Sequence, residues 1–572
     1  MMDREPISRL LVAIVRLALA GDLVVRAVRP GRFREWVRGA LRVAYHSALR
    51  AIPAKSRPRA SATPRAVRLR AGLEGRGFDA DAVAWAGAVL AGIERPAVSD
   101  DPESAHDLLR LRGVLPLLSE YFVATGSEQV RERIHSLLDE TRVRMEARPS
   151  IAWDTTTAAL RVVSLLRANE TLSSVDPHPF SSHEWMAGFL RAHSAVLAAG
   201  RVVEGRGNHQ VINVVGRCAV ELLASRAQVS ERLAAELHET LRSQFLPDGG
   251  HIERSPHYHL QMLVLTELVL RADADRGGRL SARVAAPVDA ARAALASLTG
   301  PDGELLRFGD SSRPFTGEVS SHSIRALAPH TPATPGVRLD DFGIQWLSND
   351  AGRHAWHVAM DCGPLGLDEN PGHGHADALS FVLHVDGRPC FVDPGTYRYQ
   401  NSSEARWFKL PEAHNTIHWS RHPSHELGKF FRWTRHPGAP VRRDAGVGRG
   451  DAEQDWNVRG RGYRHRRTCL LAPDRFVIED RVETRQADQA IVRMILHPEV
   501  RARRTQRGRS VLLDVGGTVL EVDAGADAPP VEILNCRYAP EYGSVQATSG
   551  LQWVLPVAAG PRTFRVVCVL AQ

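Results

Sequence analysis

The feature that most constrains the fold is a change of hydrophobic period near residue 340. From about residue 77 to 330, apolar residues recur at three- and four-residue spacing, the mark of amphipathic helices. The pattern predicts helices over Ala105–Phe122, Gln129–Ala147, Thr155–Ala168, Ser182–Ala199, His209–Arg226, Val229–Phe245, Tyr258–Ala272 and Ala282–Ser297. The gaps between them carry Gly, Pro, Asp and Ser, and most are short, which favours antiparallel helix pairs stacked into an arc or toroid. No strict internal repeat supports a solenoid. Beyond residue 340 the period falls to two. Short Val- and Ile-rich segments such as Ala355–Asp361, Leu379–Val385, Phe391–Asp393, Thr416–Trp419, Arg467–Ala472, Phe476–Val482, Ile491–Leu496, Val511–Val515, Val531–Asn535 and Thr563–Leu570 are expected strands of an antiparallel sandwich. Helices first and strands afterwards give an α+β chain with a helical domain at 76–335, a sheet domain at 336–572, and a ligand site expected in the cleft between them.

The charge is unevenly spread. Residues 1–70 hold fifteen Arg and one Lys against four acids, a local excess of +12 in a chain whose total is +8. The rest therefore sums to about −4, and a nucleic-acid-gripping catalytic domain is excluded. Residues 1–75 read as a basic extension ending in a Pro/Ser/Arg linker at 51–66. Its apolar run from Ile7 is interrupted by Arg9, Arg16 and Asp22, so a secretory signal is not expected. An Arg-rich amphipathic helix contacting anionic lipid or a partner protein, and a solvated helix packing on the next domain, both fit that run. The six Cys are scattered without a C-x-x-C pair, which excludes a disulfide framework or a Cys-rich zinc module.

Three stretches are denser in chemistry-bearing groups than packing demands. The first is Gly205-Arg206-Gly-Asn208-His209 at a helix start, where Asn and His can also be simple caps. The second is Asp248-Gly-Gly-His251-Ile-Glu253-Arg254-Ser-Pro-His257-Tyr258-His259. The third is Pro371-Gly-His373-Gly-His375-Ala-Asp377, followed by Asp393-Pro-Gly-Thr and Ala413-His414-Asn-Thr416. Two imidazoles and a carboxylate from His375, Asp393 and His414 make an ordinary zinc donor set. The His-x-His-x-Asp run also begins the metallo-β-lactamase pattern, but that pattern's closing His is Ala378 here.

Together these segments resemble the heparinase II/III family of polysaccharide lyases over roughly residues 180–570. Gly372–Asp377, Asp393-Pro-Gly-Thr, Arg406-Trp-Phe, Ala413-His-Asn-Thr416, Asn208-His209 and Glu253-x-Ser-Pro-x-Tyr258-His259 carry the resemblance, in the family's order. It implies an incomplete (α/α) toroid followed by an antiparallel β-sandwich, and β-elimination at a 4-linked uronic acid in an acidic polysaccharide. A base removes the C5 proton, O4 leaves, and the sugar carboxylate must be neutralised as charge builds up. On that reading Asn208 and His209 donate hydrogen bonds to the carboxylate, with Arg254 or Arg206 assisting. Tyr258 transfers the proton at O4 and, with its pKa lowered by neighbouring His or Arg, can also remove the C5 proton on the same face; His373 is the base in the opposite-face geometry or a carboxylate neutraliser in the same-face one. Glu253 orients the Tyr258 loop. The resemblance also implies a structural zinc ion at His375, Asp393 and His414. Asp377 and Arg406 read as supporting residues, and His251, His257 and His259 as surplus to the chemistry, at least two of them scaffold.

Two other functions share parts of this pattern. A uronate C5-epimerase abstracts the same proton without expelling O4, and an inactive carbohydrate-binding scaffold needs neither step. The lack of a secretory signal points to the cytoplasm, whereas the family's large polymer substrates point to the cell envelope.

Overall fold

The computed structural model describes residues 109–111, 114–225, 227–312, 327, 338–446, 448–458, 460–505 and 509–571. The basic segment 1–75, with its expected linker and its expected membrane or protein contact, lies outside the described residues. The described residues divide into two compact units. One takes in those up to 244 together with 261–287, and the other takes in 245–260, 288–312 and 338–571.

The helical unit is built from α1 (Val114–Thr125), α2 (Glu128–Ala147), α3 (Pro149–Ala152), α4 (Thr155–Leu172), α5 (Met186–Val203), α6 (Asn208–Ser225) and α7 (Glu231–Gln244). After them come α8 (Pro256–Ala274) and α9 (Leu280–Ser297). α4 packs against α1, α5 and α6, and α6 in turn packs against α5 and α7. Nearly every side chain of α4 is buried, its Arg161 included, so it is enclosed on all sides as an inner helix is. Asp154 caps it by accepting from the Thr156 and Thr157 N–H groups, both at 3.1 Å. α6 approaches α4 closely because Gly216 has no side chain: a Cβ there would lie 2.7 Å from the Ala159 Cβ.

The sheet unit is antiparallel throughout its described pairings. Strands β1 (Arg338–Leu339), β2 (Ile344–Asn349), β3 (Trp356–Asp361), β4 (Phe381–Val385) and β5 (Arg388–Phe391) form one sheet in chain order. A short strand β6 (Ile417–Trp419) and the small pair β7 (Glu426–Leu427) and β8 (Trp433–Arg435) follow. Next come β9 (Val441–Gly446), β10 (Arg449–Val458), β11 (Arg461–Ala472), β12 (Arg475–Thr484), β13 (Asp488–Ile495), β14 (Arg501–Arg504), β15 (Ser510–Val515), β16 (Thr518–Asp523), β17 (Glu532–Tyr538), β18 (Gln546–Val557) and β19 (Gly560–Leu570). Eight of these pair in the order β14-β15-β16-β19-β12-β11-β10-β9, and four in the order β17-β18-β13-β6. One apolar core draws on all three large sheets, with Trp356, Phe381, Phe391, Trp419, Phe476 and Trp553 among its members.

The core is held in register by one buried polar group. Asn415 donates to the Phe381 and Val392 carbonyls at 2.6 and 3.0 Å and accepts from the Ile495 N–H. An amide that satisfies three backbone groups fixes the chain on either side of it, including His414. Nearby, buried Arg467 meets buried Asp480 through two parallel bonds of 2.8 and 2.9 Å, and His465 adds a third at 2.8 Å.

Candidate active site

A helix cap places the tyrosine. Pro256 is the first residue of α8, a position where its missing N–H costs nothing. Ser255 stands before it, and its Oγ accepts the Tyr258 N–H at 3.3 Å. The same hydroxyl donates to the Asp310 carbonyl at 2.7 Å. The Ser-Pro-x-Tyr spacing is thus a helix start that carries Tyr258 in its first turn. The Tyr258 ring is buried, and its hydroxyl lies 2.8 Å from that of Tyr399. Burial, and then the neighbouring Tyr258, push the Tyr399 phenol well above its ordinary pKa, so it stays protonated beside its partner.

His373 lies on the loop between β3 and β4. Gly374 lets that loop pass, since a Cβ there would stand 1.6 Å from the Leu365 carbonyl oxygen. The His373 ring lies 4.1 Å from the Tyr258 ring, centroid to centroid, and meets Phe431 edge-on at 5.7 Å. No sugar ring fits between two rings at that separation. Whatever the pair acts on lies to one side of both.

Behind His373 sits Asp310, which the sequence reading did not single out. Its Oδ2 is 2.9 Å from His373 Nδ1, and its Oδ1 is 2.9 Å from His375 Nε2 and 2.9 Å from Lys409 Nζ. Burial alone would raise its pKa, but Lys409 and the two imidazole bonds hold it well below the carboxylate range. Lys409 is buried as well, bonds the Gly372 carbonyl at 3.0 Å, and lies over the rings of Phe430 and Phe431.

His375, Asp393 and His414 converge on one point, each offering a ligand atom within 4.8 Å of the others, and all three are buried. His414 Nδ1 bonds Asp393 Oδ2 at 2.7 Å. His375 Nδ1 and His414 Nε2 are buried with no hydrogen-bond partner. Two unpartnered imidazole nitrogens beside a carboxylate are what a bound cation would satisfy, so this cluster can hold a metal ion. Burial, and then Lys409, push the His375 pKa down to about 4, which keeps the ring neutral as ligation requires.

The other residues singled out from the sequence fall into two groups. In the sheet unit, Arg254 donates to the Ile252, Gly366 and Asp341 carbonyls at 3.1, 2.9 and 3.3 Å, bracing the loops around the site. Glu253 is buried in the same turn, its N–H facing His251 Nδ1 at 3.4 Å. Burial pushes His251 down to about 3 and His259 down to about 4, and His259 bonds the Ala291 carbonyl at 3.0 Å. Asp377 accepts the Gly309 N–H at 2.9 Å, and Arg406 holds the Gly428 carbonyl at 2.7 Å.

In the helical unit, Asn208 and His209 open α6, with Asn208 buried and Arg206 exposed just before them. His209 Nδ1 lies 3.1 Å from Glu204 Oε2 and 3.2 Å from Thr156 Oγ1. Glu204 is buried and also accepts from Thr155, so a fixed carboxylate orients the His209 ring. Gly207, at φ +119°, donates its N–H to Gln244 Oε1 at 3.1 Å and sets the turn into the helix.

Residues 145–334 match the family described as Heparinase II/III N-terminus, and residues 331–566 match Heparinase II/III-like, C-terminal. The chain belongs to the heparinase II/III family of polysaccharide lyases. Among solved structures, a crystal structure of heparinase III is similar at a TM-score of 0.66 and 14% identity, over 94% of this chain and 90% of that one. The heparan sulfate lyase HepC from Pedobacter heparinus is similar at 0.56 and 15%, over 93% and 88%. A further heparinase III gene product is similar at 0.59 and 14%, over 98% and 92%. At these identities the likeness establishes the fold, helices followed by antiparallel sheets. No curated protein sequence matches the chain. Sequence reasoning missed Tyr399, Asp310 and Lys409 around Tyr258 and His373 in the sheet unit, and Glu204 beside His209 in the helical unit. The one available signal was compositional: Lys409 is one of only three Lys in a chain rich in Arg.

Proposed function

We propose that this heparinase II/III protein cleaves a 4-linked, uronic-acid-containing acidic polysaccharide by β-elimination, with His373 as base and Tyr258 as acid. The observation that carries the reading is the 4.1 Å contact between those two rings. His373 Nδ1 is engaged by Asp310, which leaves Nε2 to take the C5 proton. As that proton leaves, the C4=C5 double bond forms, the C4–O4 bond breaks, and O4 receives the Tyr258 proton. Because the rings touch, both groups work from one side of the sugar, a syn elimination. Asn208 and His209, with Arg206, serve the substrate carboxylate, whose negative charge otherwise makes the C5 proton hard to remove. Arg254 and Glu253 shape the loop in front of Tyr258.

Zinc is the ion proposed for His375, Asp393 and His414, since two imidazoles and a carboxylate suit it. When bound it would supply a structural cross-link between the loops that carry these residues.

The reading is tested by incubating the protein with a panel of uronic-acid polymers and following the ultraviolet absorbance of the unsaturated ends. At least one polymer is expected to yield it. Chains left uncut, with solvent deuterium entering C5, would point to epimerisation instead.

A further inference from the structure

We propose that Asp310 is a positioning residue that fixes the protonated nitrogen of two imidazoles at once, preparing His373 for proton transfer and His375 for metal. The proposal rests, for its kinetic part, on the lyase reading.

An ionised carboxylate can only accept hydrogen bonds. Asp310 is fully buried, and the ammonium of Lys409 at 2.9 Å balances its charge in place. Each imidazole nitrogen facing it must therefore carry the hydrogen: Nδ1 of His373 and Nε2 of His375, both at 2.9 Å. In a neutral ring the far nitrogen is then a lone pair. For His373 this is Nε2. For His375 it is Nδ1, the nitrogen left without a hydrogen-bond partner in the residue's cluster with Asp393 and His414. The opposite tautomer of either ring would set lone pair against lone pair in a dry site and lose a charge-assisted bond.

The backbone of Asp310 reinforces this arrangement. Its N–H donates to the His373 carbonyl at 2.7 Å, and its carbonyl accepts from Ser255, the cap of the helix that carries Tyr258. One residue thus sets the ring orientation of the base and the position of the acid.

The test uses the full chain labelled with ¹⁵N-histidine, wild type and Asp310→Asn, with the His373 signal assigned by its loss in His373→Gln. The wild type is expected to show a protonated Nδ1 and a bare Nε2 at His373. In Asp310→Asn, whose amide can itself donate, the Nδ1–H population should fall. On a polymer that the wild type cleaves, kcat should drop roughly 10²- to 10⁴-fold with KM little changed. A wild-type His373 protonated at Nε2 alone overturns the proposal, as does an Asp310→Asn variant with unaltered tautomer and rate. If Asp310→Asn does not fold, the wild-type spectrum still decides. The spectrum needs no substrate, so a protein that cleaves no polymer yet shows the Nδ1–H form sinks the lyase reading and sustains this one.

Discussion

Asp310 and His373 are bonded twice, carboxylate to ring at 2.9 Å and N–H to carbonyl at 2.7 Å, so neither can move without the other. The pair joins the segment after α9 to the glycine-rich loop after β3. It leaves the His373 ring against the ring of Tyr258.

The phenol pair predicts a graded effect. Tyr399→Phe removes one neutral hydrogen bond to the Tyr258 hydroxyl while keeping the ring. Such a bond is worth about 1 kcal/mol net, so kcat on a cleaved polymer should fall roughly five- to tenfold. Steady-state kinetics of the purified variant check this. An unchanged kcat would mean that Tyr399 only packs.

Ring contact between acid and base predicts a stereochemical preference. A syn elimination needs H5 and O4 on the same face, as in the gluco configuration, while the C5 epimer presents them on opposite faces. Oligosaccharides matched except at C5 should therefore differ in kcat/KM, with the glucuronate form cleaved faster. Equal rates, or faster cleavage of the iduronate form, would speak against one-sided chemistry.

Metal analysis addresses the His375, Asp393 and His414 cluster. The purified protein should carry zinc, a strong chelator should lower its melting temperature, and added zinc should restore it. In His414→Ala, elemental analysis should find the zinc lost, and the chelator should have no further effect. A metal-free protein with full thermal stability would refute the ion.

Acid should weaken the sheet unit through Asp480. Burial would raise its pKa, but Arg467 and His465 hold it well below the carboxylate range. A depressed carboxylate pKa adds stability that is fully present above the unfolded value of about 4. That stability drains away as pH falls toward the folded value, because the unfolded state then binds the proton more readily. Urea midpoints should therefore drop between pH 6 and pH 3, and less steeply in Asp480→Asn. That variant should already be destabilised by about 3–5 kcal/mol at neutral pH, because Arg467 is left buried without its partner. A midpoint insensitive to both changes would rule this out.

Much of the fold was legible because burial writes a period into the sequence. Thr155–Ala168 reads as helix from its apolar spacing, and Phe476–Val482 reads as strand from its alternation. β10 was illegible for a physical reason: its buried positions include Asp451, Glu453 and Gln454, and buried Asp451 is satisfied by Arg466 and Arg449 rather than by apolar contact. The site divides in the same way. Tyr258 and His373 stand in local motifs whose Gly, Ser and Pro have backbone jobs, so they show in a short window. Asp310 and Lys409 are 99 residues apart and meet only through the fold, and a lone acid after a Gly carries no local mark.

The most direct test of the account compares the wild type, Tyr258→Phe and His373→Ala on one susceptible uronan, reading the unsaturated product by absorbance and mass. Chains ending in a 4,5-unsaturated sugar are expected from the wild type, and a loss of at least about 10²-fold in each variant with the fold intact by circular dichroism. Unsaturated product formed at the wild-type rate by either variant would contradict it.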